Sequence, residues 1–162
     1  MQVQVFDGVA TVAAGDVMLV LWQSGAKAAR IRWVNERALA LIAKYPQGIA
    51  AAQFLLPSAT PPGLGEVGEV RVALRAIAPH ARRLIVVPLG SATWQSVVRG
   101  VMRAGLALLG QSERIKVAAS ASEALLLLDE MASGNSPARS DLDGALRMLF
   151  RALGDDATWP LS

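Results

Sequence analysis

The feature that most constrains the fold is a run of six apolar residues, Val17–Trp22, with no polar side chain in it. Its length and β-branched content predict a strand, and its lack of alternation predicts that both faces of the strand are buried. Such a strand needs a covering layer on each side of its sheet, which is the arrangement of α/β domains. Shortly before it, Asp7-Gly8 lies between two β-rich segments and predicts a type I′ hairpin. The chain is therefore expected to open as an antiparallel meander.

After Gly25 the spacing of apolar residues changes from two to 3.6, which predicts helices alternating with strands. The first helix is expected over 27–45, with a buried face of Ile31, Val34, Ala38, Leu41, Ile42 and Tyr45. The next two are expected to bury Val67, Val70, Leu74 and Ile77, and then Trp94, Val97, Val98, Val101 and Leu108. Strands are predicted over 49–56, 84–89 and 114–118. Ser91 is expected to cap one helix, and Ser120 with Glu123 forms a capping box that opens another.

These elements predict an α/β domain over residues 1–132, with a mixed sheet of antiparallel entry strands followed by βαβ crossovers. A polar linker, 133–139, leads to an amphipathic helix, 140–154, and residues 155–162 are expected to form a flexible tail. The apolar stripe of that helix is Leu142, Leu146, Leu149, Phe150 and Leu153. Ser140 with Asp143 is a capping signal, and Gly154 ends the helix. The helix either folds back over the open face of the sheet or serves as a partner-binding arm.

The composition excludes several kinds of chemistry. The 162 residues include one His and no Cys, which rules out disulfides, cysteine-ligated metals and thiol nucleophiles. An apolar content of 53% is too high for a disordered chain. Even so, no uninterrupted apolar run reaches the roughly 18 residues of a membrane span, and the N-terminus does not resemble a secretory signal. We therefore expect a cytoplasmic protein.

Three patterns that would suggest a ligand or catalysis lack the context they need. Gly63-Leu-Gly65-Glu-Val-Gly68 matches the dinucleotide fingerprint, but 57–62 separate it from the strand and no acidic residue follows at the ribose-binding distance. A loop whose glycines let the next helix start close to the sheet is the expected structure. His80 has no partner residue, and Asp141-x-Asp143-Gly144 is too short for a calcium loop. We expect no cofactor, no metal and no enzymatic activity.

The first helix carries the clearest candidate for a binding surface. Arg30, Arg37 and Lys44 recur every seven residues, and Trp33 lies beside the first two. Arg and Trp together are typical of interface hot spots, although a solvated helix face is an equal alternative. Residues 27–45 are basic whereas 120–162 are acidic, which indicates either charge complementarity within or between chains or a basic face for an acidic partner. Nucleic acid is not expected because the chain has no recognised binding motif.

Roughly residues 9–132 contain, in order, the strand pair with Val17–Trp22, the basic helix, the strand at 49–56 and the later αβαβα segment. This order of elements resembles that of anti-sigma-factor antagonist (STAS) and SEC14-like domains, above all bacterial single-domain STAS-like regulators. The resemblance implies a non-enzymatic regulatory or scaffolding domain that binds a protein partner or a second copy. It also implies phospho-acceptors at Ser58 or Thr60, although the family's Asp-Ser-x-Gly motif has no Asp here. SEC14-like relatives carry lipids, so the alternative is a domain that binds a small hydrophobic ligand or lipid.

Overall fold

A single six-stranded mixed sheet organises the molecule, in which the computed structural model describes residues 1–109 and 114–154, with the backbone alone over 104–109. The strand order in space is the order in the chain. The first three strands pair antiparallel and the later ones parallel. The strands are β1 Gln4–Phe6, β2 Val9–Ala14, β3 Val17–Trp22, β4 Ile49–Leu55, β5 Ala81–Pro88 and β6 Ile115–Val117. The predicted α/β class with antiparallel entry strands is confirmed.

Helices cover both faces of this sheet. They are α1 Ala28–Lys44, α2 Val67–Ile77, α3 Ala92–Leu109, α4 Ala121–Asp129 and α5 Arg139–Ala152. The helices that cross between parallel strands, α1, α2 and α3, contribute side chains to one core, and α4 and α5 contribute to the other. Consecutive crossovers onto the same face follow from the common handedness of βαβ units in a sheet whose strands add in sequence. None of the described helices combines the length and apolar character needed to cross a membrane.

The strand that constrained the fold is buried as predicted. All residues of β3 are 5% exposed or less. Val17, Leu19 and Leu21 face the core under α4 and α5, whereas the alternate residues face α1. The hairpin before it has positive φ at both turn residues, 46° at Asp7 and 79° at Gly8, as a type I′ turn requires.

The amphipathic C-terminal helix folds back on the sheet. Its apolar residues Leu142, Leu146, Leu149 and Phe150 are 2% exposed or less, and α5 packs against β2, β3 and α4. Gly154 ends the helix with a φ of 73°, as predicted. The predicted cap at Ser140 is wrong, because the extended residue before the helix is Ala138, and this places Ser140 inside the first turn. The predicted tail, 155–162, lies outside the described residues.

The predicted faces of α2 and α3 need correction. No residue of α2 is fully buried: Val70, Leu74 and Ile77 are half-buried and Val67 is 40% exposed. On α3 the expected residues Val97 and Val101 are 51% and 44% exposed. Val98 is buried as predicted, Trp94 is half-buried, and Met102 packs against the core in place of the two exposed valines. Val97 and Val98 begin two adjacent apolar rows, and contact with the sheet selects one of them. The side chain of Leu108 lies outside the described set.

Candidate partner-binding surface

Arg30, the first of the predicted surface residues, is engaged within the fold. Its Nε and Nη2 donate to the carbonyl and carboxylate of Asp7 at 2.7 and 2.8 Å, and its Nη1 donates to the Gly25 carbonyl at 2.7 Å. Only 15% of its side chain is exposed. These three bonds fasten the β1–β2 hairpin to the start of α1, so Arg30 positions the surface rather than presenting donors on it.

Trp33 and Arg37 form a stacked group with Phe6, a residue that sequence reasoning missed. The rings of Phe6 and Trp33 stack with centroids 5.6 Å apart and planes 20° apart. The Arg37 guanidinium carbon lies 5.0 Å from the Trp33 ring centroid, within cation–π range. Phe6 is 38% exposed and Trp33 is half-buried. We call Phe6, Trp33 and Arg37 together the β1–α1 patch. In the sequence, Phe6 is marked only by its place beside the hairpin turn. That place does not predict that Phe6 lies near α1.

The Arg37 side chain makes no hydrogen bond to any residue that the structure describes. Its nearest carboxylate oxygen is on Glu36, 3.8 Å from Nη1, too far for a hydrogen bond. Its Nε is buried and has no acceptor among the described residues. By contrast, Lys27 pairs with Glu66 at 3.5 Å and Arg32 with Glu69 at 2.5 Å. Most of the positive charge at the start of α1 is therefore paired with acidic side chains. The guanidinium N–H groups of Arg37 are not bonded to any described acceptor.

Lys44, the last of the predicted residues, lies apart from the patch. It is exposed in the final turn of α1, and its ammonium group lies 5.3 Å from the centroid of the Tyr45 ring. It is two helical turns from Arg37, about 10 Å along the axis. The predicted four-residue surface therefore resolves into a fold contact at Arg30, the patch, and a separate exposed cation at Lys44.

The patch adjoins an open edge of the sheet. Within residues 1–109 and 114–154, β1 pairs with β2 alone, and its three residues are all exposed, including Val5 at 51%. An edge strand presents one row of unpaired amide and carbonyl groups to solvent. Aromatic side chains, a guanidinium with free donors and a strand edge therefore occur together at one corner of the molecule.

The predicted phospho-acceptors lie in the loop after β4. Ser58 and Thr60 are both exposed, and buried Ala59 lies between them. The Ser58 hydroxyl donates to the Gln23 carbonyl at 2.7 Å, and the Thr60 carbonyl accepts from the Ala26 amide at 3.2 Å. The loop is thus bonded to the segment between β3 and α1, the same segment that Arg30 holds.

The glycine-rich loop does not have the close approach expected of it. The Gly63 amide donates to the Glu66 carboxylate at 3.0 Å, so a side chain of the loop occupies that donor. A Cβ added at Gly65 or Gly68 would meet nothing within 4 Å. The expectation that these glycines let α2 start close to the sheet is wrong, because Gly65 and Gly68 have open space where a side chain would lie.

A buried polar cluster, also missed from the sequence, lies at the amino ends of the parallel strands. The Asp16 carboxylate is 1% exposed as a residue and accepts from Ser133 Oγ at 2.6 Å and Ser136 Oγ at 2.8 Å. Arg82 Nη2 lies 2.8 Å from it. The two serines belong to the connection between α4 and α5. The hydrogen bonds from the two serines tie this connection to the Asp16 carboxylate, so the cluster has a structural role. An acidic residue directly before an all-apolar strand was its sequence signal.

A groove lies between α1 and α2. Its volume is about 220 Å³, and it is lined by Ile31, Arg32, Asn35, Glu36, Glu69, Val72 and Ala73. Ligand pockets usually measure roughly 300–1,000 Å³ and are largely apolar. This open groove is smaller than the usual ligand pocket, and therefore smaller than a site for a lipid chain.

Metal-binding groups are not assembled in the described part of the chain. His80 is exposed in a 3-10 turn, Ala78–His80. The described residues contain no group of three or more His, Cys, Asp or Glu side chains placed to hold a metal. A scan of protein-family models finds no match for this chain, and searches of the curated proteins and of the solved structures find none either.

Proposed function

We propose that this protein is a non-enzymatic regulatory or scaffolding domain that binds another protein through the β1–α1 patch and the adjoining edge of β1. The observation that carries the proposal is the stacking of Trp33 with Phe6 and Arg37 beside an uncovered edge strand. Trp and Arg are the residues most enriched at interface hot spots. Here they are already ordered by contact with each other, which lowers the entropy lost when a partner binds.

A STAS-like identity and a place in cytoplasmic signalling belong to the same proposal. They are supported by the order of elements and by the crossover helices on one face of the sheet. Exposure of Ser58 and Thr60 would let a kinase reach the loop after β4. Phosphate on either residue would add negative charge beside the Gln23–Ala26 segment and disturb its bonds to that loop. Mass spectrometry of the protein isolated from its cells tests this switch.

The docking role is tested by replacing the patch while preserving the fold. Trp33→Ala with Arg37→Ala should remove specific partners from affinity captures that the wild-type protein retains. The matched control is Val97→Ala with Val101→Ala, which also removes exposed side chains but on α3. Both double variants should melt within a few degrees of the wild type. Capture of the same partners by the patch variant would contradict the proposal, and a large fall in its melting temperature would show that the patch is structural.

A further inference from the structure

We propose that the occupant of the patch is an extended peptide strand that adds to the outer edge of β1 and carries a carboxylate that pairs with Arg37. This inference rests on the proposed function and names the chemistry of the partner. Its acidic residue would lie two positions from an apolar residue that contacts Phe6 and Trp33.

Strand addition is favoured by the nature of the β1 edge. Natural edge strands are protected by short length, charged side chains, proline or a bulge, and β1, at three residues, has the first of these protections. The six residues that lead to the hairpin turn contain no charged side chain and no proline. β1 pairs with β2 in the register Gln4–Thr11, Val5–Ala10 and Phe6–Val9, and no other described strand pairs with its opposite edge. A peptide strand can satisfy such an edge with main-chain hydrogen bonds.

The spacing of the patch matches the repeat of a strand. Trp33 and Arg37 are one helical turn apart, about 6 Å along α1. Side chains on one face of a strand repeat every two residues, about 6.6–6.8 Å. The pairing of β1, β2 and β3 makes β1 parallel to β3, so α1, which returns from the end of β3 to the start of β4, runs antiparallel to β1. The patch therefore extends along the edge strand, from Phe6 toward Gln4.

Charge selects an acidic residue at the second of these positions. The guanidinium of Arg37 is 37% exposed in its side chain, makes no described hydrogen bond and is held against the Trp33 ring. A carboxylate is the group that a guanidinium binds with two parallel hydrogen bonds. A lysine at that position of the peptide would instead meet a like charge.

The test uses synthetic peptides and the intact protein in NMR titrations. The probes are Ser-Thr-Val-Thr-Glu-Thr-Ser and the reversed order Ser-Thr-Glu-Thr-Val-Thr-Ser, each compared with a version in which Gln replaces Glu. We expect one Glu peptide to shift the amide signals of 3–6 and the Trp33 indole in a saturable way. Its Gln version should bind about tenfold more weakly, because the charge-assisted hydrogen bonds of a carboxylate with a guanidinium are roughly twice as strong as those of a neutral amide.

Arg37→Gln should abolish the difference between the two peptides, whereas Arg32→Gln, a change of equal size on the same helix, should preserve it. Equal affinity of the Glu and Gln peptides for the wild-type protein would overturn the carboxylate pairing. Absence of binding, or shifts confined to other surfaces, would overturn strand addition. Concentration-dependent shifts of 3–6 without peptide would identify a second copy as the occupant instead. None of these outcomes decides the partner captures, so failure of the peptide inference is distinguishable from failure of the docking function.

Discussion

At the scale of single residues, substitutions at buried charges and at positions with positive φ have clear effects on stability. Asp16 is the clearest case, since its carboxylate contacts Arg82 and two serine hydroxyls while almost fully removed from solvent. Charges placed this way cost desolvation energy, and the cost is offset only while every partner is present. Removing one partner therefore harms the fold more than the count of lost contacts suggests.

Asp16→Ala should lower the free energy of unfolding by about 3–5 kcal/mol, because it leaves the Arg82 guanidinium mostly buried without its carboxylate. Ser133→Ala removes the hydroxyl that donates to Asp16 and accepts from the Asn135 amide and the Ser136 hydroxyl, and it should cost about 1.5–3 kcal/mol. Glu36→Ala, at a carboxylate that is 65% exposed, is the control and should change stability by less than about 0.5 kcal/mol. Urea unfolding measures all three. An effect of Asp16→Ala as small as the control's would refute the structural role of the cluster.

Two glycines should respond in opposite directions to the same substitution. Gly8 has a φ of 79°, and a Cβ there would lie 2.1 Å from Ser24 Oγ and 2.7 Å from Ser24 Cβ. Gly8→Ala should therefore destabilise the protein by more than about 1 kcal/mol. Gly144 lies inside α5 with nothing within 4 Å of an added Cβ. Gly144→Ala should stabilise by about 0.5–1 kcal/mol. Thermal unfolding distinguishes the two, and a loss of stability at Gly144 would contradict the packing around α5.

At the scale of elements, helices with similar amphipathic patterns are buried to very different extents. α5 has five residues in the core, whereas α2 has none that is fully buried. Both carry a clear apolar stripe in sequence. The difference arises because α5 lies across β2 and β3, while α2 packs mainly on α1.

The same substitution in the two helices should show this difference. Leu146→Ala, at a residue that is 0% exposed, should cost about 2–5 kcal/mol, since it deletes core volume that the neighbours cannot refill. Leu74→Ala, at a half-buried residue, should cost about half as much or less. Equal losses in denaturant unfolding would show that α2 is covered as completely as α5.

At the scale of the whole molecule, the two layers over the sheet differ in their cohesion. The α4–α5 layer contains most of the largest fully buried helical side chains, and the buried Asp16 cluster holds its connection. On the other face, α2 and the described side chains of α3 expose Val67, Val72, Val97 and Val101. Stability is therefore distributed unevenly across the sheet.

Hydrogen exchange should follow this division. Amides of β3 and α5 should exchange only through global unfolding, whereas those of α2 should exchange through local opening at a lower free energy, because few buried contacts restrain that helix. Mass spectrometry of peptides from a native-state time course measures the order. Exchange of α5 before α2 would reverse the assignment of the stable layer.

Local physics determined the features that depend on neighbouring residues in the chain. The apolar run of β3, the Asp7-Gly8 turn, the buried face of α1 and the Ser120 cap depend on side-chain period and turn chemistry, and the structure confirms them. The Ser120 hydroxyl, for example, accepts from the Glu123 amide at 3.2 Å. These choices involve contacts across only a few residues, which a sequence pattern contains.

Only the tertiary structure decided which surfaces meet. Phe6 stacks on Trp33, Arg30 binds the Asp7 carboxylate, and Asp16 accepts a hydrogen bond from the connection after α4. The partners are far apart in the chain, and no periodicity in the sequence predicts these contacts. Contact with the sheet also determined which of two similar apolar rows on α3 is buried. Packing selects among faces by the volume and charge of what lies opposite, and those neighbours are specified by the fold of the whole chain rather than by any one segment.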